Sequence, residues 1–90
     1  KTKMNDEKLT NITTATTTTV KSGAGYLVRI TVNTTAAGAI TVYDNTAASG
    51  TKIATLPSNA VVGTYEYGGR FATGLTIVTA AASDITVTYQ

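Results

Sequence analysis

Ninety residues make one domain at most. Cysteine, histidine and tryptophan are all absent, which removes disulfides, thiolate metal sites and the usual near-neutral general base. The net charge of +2 is too small for a phosphate-binding surface.

Five of the twelve charged residues fall in the first eight positions: Lys1, Lys3, Asp6, Glu7 and Lys8. The other seven are scattered singly, so neutral polar groups must cover the body, chiefly the twenty-one threonines. Threonine is β-branched and suits a pleated, half-solvated surface. A free monomer ordinarily uses more charge for solubility, so low charge points to a surface covered by other subunits. No apolar run approaches the ~20 residues of a membrane helix, and the N-terminus lacks the apolar stretch of a signal peptide. The expectation is therefore no membrane segment and no leader.

Residues 1–9 are polar and without periodicity and read as an arm. Thr10 to Val20, "TNITTATTTTV", is extended by its β-branched content. Ile12 and Val20 are its only strongly apolar points, so it should lie at an edge. An extended N-terminal arm is thus expected over residues 1–19, ahead of a β-sandwich over 20–90. "KSGAG" is a turn at Gly23 and Gly25. "YLVRITVNT" alternates, with Tyr26, Val28, Ile30 and Val32 inward and Leu27, Arg29, Thr31 and Asn33 outward. "AITVYD" turns Ile40 and Val42 inward, "NTAASG" is a loop, and "TKIATL" carries Ile53 and Leu56 up to Pro57, which ends the strand. A short strand around Tyr65 and Tyr67 meets a bulge at Gly68 and Gly69, and Phe71 follows. "LTIVT" and "DITVTYQ" complete the chain, with Leu75, Ile77, Ile85, Val87 and Tyr89 as apolar points.

Seven or eight short strands at roughly ten-residue spacing, with no sustained helical period, predict an all-β fold. The architecture expected is a single antiparallel β-sandwich of jelly-roll or Greek-key type. The expected core is Val28, Ile30, Val32, Ile40, Val42, Ile53, Leu56, Phe71, Leu75, Ile77, Ile85 and Val87.

Chemistry has few players. Asp44, Glu66 and Asp84 each stand alone in sequence, so no tuned acid–base pair is visible and no catalytic residue is assigned. "DNTAASG" offers oxygens at Asp44, Asn45 and Thr46, but the acidic density and closing glutamate of a calcium loop are missing. Asp44 and Asn45 should instead cap the turn through their own backbone amides. "SGAG" lacks the Lys-Ser/Thr and the helix of a phosphate loop. Arg70 beside Phe71, near Tyr65 and Tyr67, is the only basic–aromatic spot, which excludes a nucleic-acid surface. The glycosylation sequons at Asn11 and Asn33 are matches that chance supplies in so threonine-rich a chain. No cofactor and no metal is expected. The side chains most suited to contact a partner are Tyr43, Tyr65 and Tyr67, with Tyr26, because tyrosine offers area at low entropy cost.

The order of three segments carries a resemblance: "TTVKSGAGYLVRITVN", "AITVYDNTAASGTKIATL" and "GTYEYGGRFATGLTIVTAAASDITVTY". Tyr43-Asp44-Asn45, then Ser49-Gly50, then Gly74-Leu75-Thr76, then Ile85 to Tyr89 resembles a group of small structural proteins of tailed bacteriophages. The resemblance spans about Val20 to Gln90. It implies a virion component without enzymatic activity, most often a capsid decoration (cement) or head-fibre protein. Such a protein sits on the capsid exterior, assembles in the host cytoplasm, commonly forms a homotrimer and bridges major capsid protein subunits. On that reading Leu9 and Ile12 anchor the arm, and Tyr43, Tyr65, Tyr67 and Arg70 face a partner. The alternative is a receptor- or glycan-binding module of a tail or head fibre, with loops Thr46–Thr51 and Gly68–Arg70 toward a sugar. A third is an antiparallel interaction domain unrelated to phage.

Overall fold

The alternating segments become eight strands in a computed structural model, which describes residues 7–90. They are β1 (Lys8–Ile12), β2 (Thr16–Ser22), β3 (Gly25–Thr34), β4 (Ile40–Asp44), β5 (Thr51–Leu56), β6 (Gly63–Phe71), β7 (Gly74–Thr79) and β8 (Asp84–Tyr89). Two four-stranded antiparallel sheets pack face to face, a β-sandwich. Sheet A has the order β1-β8-β3-β6 and sheet B the order β2-β7-β4-β5. Only β4 and β5 form a hairpin within one sheet; every other link between these strands crosses from one sheet to the other.

The core between the sheets is made of branched aliphatics and one ring. Ile30, Val32, Val42, Phe71, Leu75, Ile77, Ile85 and Val87 are fully buried, with Ile40 and Leu56 beside them. Burying such side chains stabilises by about 1.5–3 kcal/mol each.

Four expectations are corrected by strand pairing. First, residues 8–19 are not an arm. β1 pairs with β8 over Lys8↔Tyr89 to Ile12↔Ile85, and β2 pairs with β7 from Thr16↔Thr79. Thr79 Oγ1 secures the corner between them, donating to the Thr14 carbonyl at 2.6 Å and accepting the Thr16 N–H at 3.1 Å. Residues 1–6 of the arm expected over 1–19 lie outside the described residues. Second, Ile12 belongs to the core at 5% exposure and is not a peripheral anchor, whereas Leu9 is 70% exposed.

Third, the phase of β3 flips midway. Leu27 stands opposite Tyr89, but the next partner pair is Arg29 and Thr88. Val28 is the extra residue of a bulge, and one extra residue reverses which face each side chain takes. Leu27 therefore enters the core ahead of the bulge, and Ile30 and Val32 enter it after. Val28 is buried but lies outside the core cluster. Fourth, β5 slips in the same way. Val42 pairs with Ala54 and Tyr43 with Lys52, so Ile53 is the unpaired residue and is 36% exposed. Ala54 takes the inward place expected for Ile53.

Ile12→Ala should cost about 2–4 kcal/mol of stability, as a buried methylene deletion does. Leu9→Ala, a change at an exposed position, should stay within about 0.5 kcal/mol. Urea denaturation of both variants checks this. Equal midpoints would show that β1 adds nothing to the core.

Candidate functional site

Asp44, the last residue of β4, is not a local turn cap. Its carboxylate accepts the Ala72 N–H on both oxygens, at 3.0 and 2.9 Å, and the N–H groups of Thr73 at 2.8 Å and Gly74 at 3.4 Å. Charge-assisted bonds of this kind are the strong ones. They fasten the end of β4 to the turn through which the chain passes from β6 in sheet A to β7 in sheet B. The Ala72 amide first, then that of Thr73, holds the carboxyl below its ordinary value near 3.8, against an opposing effect of desolvation. Asn45 does cap its own loop. Its Oδ1 accepts the Thr46 N–H at 2.8 Å and its Nδ2 donates to the Ser49 carbonyl at 2.8 Å.

Other segments meet at this end. The Gly23 N–H donates to the Thr73 carbonyl at 2.9 Å. Tyr26 and Gln90 exchange backbone bonds of 2.9 and 2.8 Å, so the end of β8 runs against the start of β3. The approach is close enough to demand glycine. A Cβ on Gly25 would strike the Phe71 ring and the Gln90 carbonyl oxygen. One on Gly74 would lie 2.9 Å from the carbonyl oxygens of Asn45 and Lys21.

Between these segments lies an open groove of about 700 Å³, lined by Lys21, Ala24, Gly25, Tyr26, Asp44, Arg70, Phe71, Ala72 and Gln90. Phe71 is its buried floor. Lys21 and Arg70 bring positive charge, Gln90 an amide, and Tyr26 a ring whose hydroxyl lies over Gly68. This set can hold a polyhydroxylated or anionic ligand through donors and a ring face. The oxygens of Asp44 are already committed to three amides.

The residues expected to face a partner do not converge. Leu9 is on the outer face of sheet A opposite Thr88, and Ile12 is in the core. Tyr43 is half-buried on the outer face of sheet B, opposite Thr76 and Lys52. Tyr65 and Tyr67 are half-buried and pack against the core from edge strand β6. The Tyr65 hydroxyl donates to the Val61 carbonyl at 2.6 Å, while burial first, and Tyr65 second, raises the Tyr67 phenol above its ordinary value. Of the residues expected to face a partner, Arg70 and Tyr26 reach the groove. Sequence reasoning missed Lys21 there, because only the folded chain brings the β2–β3 turn beside the β6–β7 turn. Tyr26, expected to face inward with Val28, lines the groove because the bulge reverses its side.

The side chains of Asn11 and Asn33 converge on Asp84, donating to Oδ1 at 2.8 and 3.2 Å. The bond from Asn11 first, and that from Asn33 next, lowers the Asp84 pKa. Arg29 meets Glu66 at 2.9 Å and Glu7 at 3.9 Å on the same outer face of sheet A.

Comparison of the chain with protein-family models, with curated proteins and with solved structures found no match.

Two outcomes follow from the Asp44 clasp. Its folded pKa is depressed, so its contribution to stability is full above the unfolded value and is lost as pH falls through the folded one. Asp44→Asn should lower the urea midpoint at neutral pH and remove part of the parent's acid-induced loss below pH about 4. An unchanged slope of stability against pH would contradict the clasp. Gly74→Ala should destabilise by about 1–3 kcal/mol, since the obstructing atoms include backbone carbonyls. Thermal melts of the two proteins test that.

Proposed function

We propose that the chain is a non-enzymatic structural protein of a phage virion, a capsid decoration protein that binds the outside of the head and bridges major capsid protein subunits. The observation that carries the reading is the outer face of sheet B. Its rows run Thr17–Val78–Thr41–Thr55 and Thr19–Thr76–Tyr43–Lys52 across four strands, with Thr76 itself fully buried where the Asn45 and Thr46 carbonyls meet Thr76 and Thr19. Lys52 is the single charge in these two rows. Polar atoms there are paired internally: Thr76 Oγ1 donates to the Asn45 carbonyl at 2.8 Å and lies 3.4 Å from Thr19 Oγ1.

A neutral, β-branched face suits a fixed neighbour, because it can be covered without desolvating ions. Each copy laid across a seam of the shell adds contact area, and binding stabilises the assembled state by mass action. The strand order supports the finer fold reading, an eight-stranded jelly roll, an architecture that capsid and lectin domains share. That likeness is of fold and not of activity. The segment resemblance set out above supports the virion assignment and implies a trimer on the shell.

A second reading has its own observation. The groove of Lys21, Tyr26, Arg70 and Gln90 favours a receptor- or glycan-binding module of a fibre.

Co-sedimentation with phage heads stripped of their decoration separates the two. The decoration reading expects saturable binding of the parent. Thr41→Glu, which places a carboxylate mid-face, should weaken it by about tenfold or more, because a charge buried without a partner is costly. Failure to bind heads, together with hits on a glycan array abolished by Arg70→Ala, would transfer the assignment to the second reading.

A further inference from the structure

Among the described residues, four strands stand at sheet edges: β1 and β6 in sheet A, β2 and β5 in sheet B. An edge offers a row of unpaired N–H and C=O groups, and proteins blunt it with charge, proline, bulges or short length. β1 is short and opens on Lys8. β6 carries Glu66 and Arg70 and is broken at Gly68, where φ is +61°. β5 has Lys52 and the bulge at Ile53, and Pro57 follows it.

β2 carries its bulge at Val20 and its charge at Lys21 only toward its end, and Thr16–Thr19 has neither. That stretch pairs with β7 in unbroken register, and the register shifts only beyond Thr19. No charged residue and no proline occurs from Leu9 to Val20. Thr16, Thr17 and Thr19 are exposed.

We propose that this edge is an interaction surface for a second copy of the chain. Two β2 strands pair antiparallel about a two-fold axis through Thr18, with Thr17 of one copy opposite Thr19 of the other. The stretch is self-complementary: threonine meets threonine, a favourable cross-strand pair, and no like charges face each other. The two B sheets then form one continuous eight-stranded sheet. The contact is isologous, and because β5 at the far edge of sheet B is blunted, assembly closes at two copies and does not run on as a filament. This differs from the trimer that the phage resemblance implies. It needs only a second copy of the chain, so it stands or falls apart from the capsid reading.

Few residues meet, so the dimer belongs to the small, weak class of interfaces. Sedimentation velocity of the full chain from roughly 1 to 300 µM tests it. The mass should rise from one chain to two and stop there. The double variant Thr17→Lys, Thr19→Lys places lysines opposite one another and should weaken association by about tenfold or more, with the circular dichroism of the folded chain retained and the melting midpoint lowered only by the loss of the Thr19 hydroxyl contacts to Thr46 and Thr76. Thr17→Val keeps a β-branched, uncharged edge and should dimerise like the parent. Should the lysine variant fail to fold, amide exchange of the parent decides: protection between Thr16 and Val20 must increase with protein concentration. A monomer throughout the range, a trimer, an open-ended polymer, a folded lysine variant that still dimerises, or concentration-independent exchange each overturns the proposal.

Discussion

Six of the seven links between the described strands cross from one sheet to the other, and this shapes everything else. Each crossing strand must turn its apolar side to one shared layer about 10 Å thick. A strict period of two cannot satisfy that along a strand that also has to bend at the sandwich end. The bulges at Val28 and Asn33 in β3, Val20 in β2 and Ile53 in β5 absorb the mismatch by shifting the register locally. Where the chain crosses from β6 to β7, Asp44 grips three successive amides and Gly25 and Gly74 let backbones touch. The groove at that end is a by-product of this crossing, and its charged lining gives it chemistry.

The two outer faces then diverge. Sheet A outside is ionic and amide-rich, with Arg29 between Glu66 and Glu7 and with Asp84 between Asn11 and Asn33. Exposed contacts of this kind contribute little net stability but keep a face hydrated. Sheet B outside is threonine and valine with Tyr43 and one lysine. The contrast is the reason the proposed partners are assigned to sheet B, its face to a shell and its β2 edge to another copy.

Much of this was legible in the residues. Alternation in "ITVYD" and "DITVTY" placed Ile40, Val42, Ile85 and Val87 in the core, and the structure puts them there. Leu27 and Ile53 were misplaced because a bulge leaves no mark in a run of branched side chains. Ile12 was misread because its neighbours are all polar, and one isoleucine among threonines is buried only if its strand finds β8. Tyr65 and Tyr67 were expected at the surface, but β6 is an edge strand, and their rings close the open side of the core.

The sequence by itself determined the class: β-branched, helix-poor, without histidine or cysteine, and patterned for a two-layered all-β domain. These are local properties, set by side-chain shape and by a period of two. Tertiary structure alone decided which threonines share the outer face of sheet B, that Asp44 reaches residues 72–74 and not its own loop, and that Lys21, Tyr26 and Arg70 share a groove. Those outcomes depend on pairings between distant segments, and strand pairing is chosen by the joint fit of eight strands around one core, which no single stretch encodes.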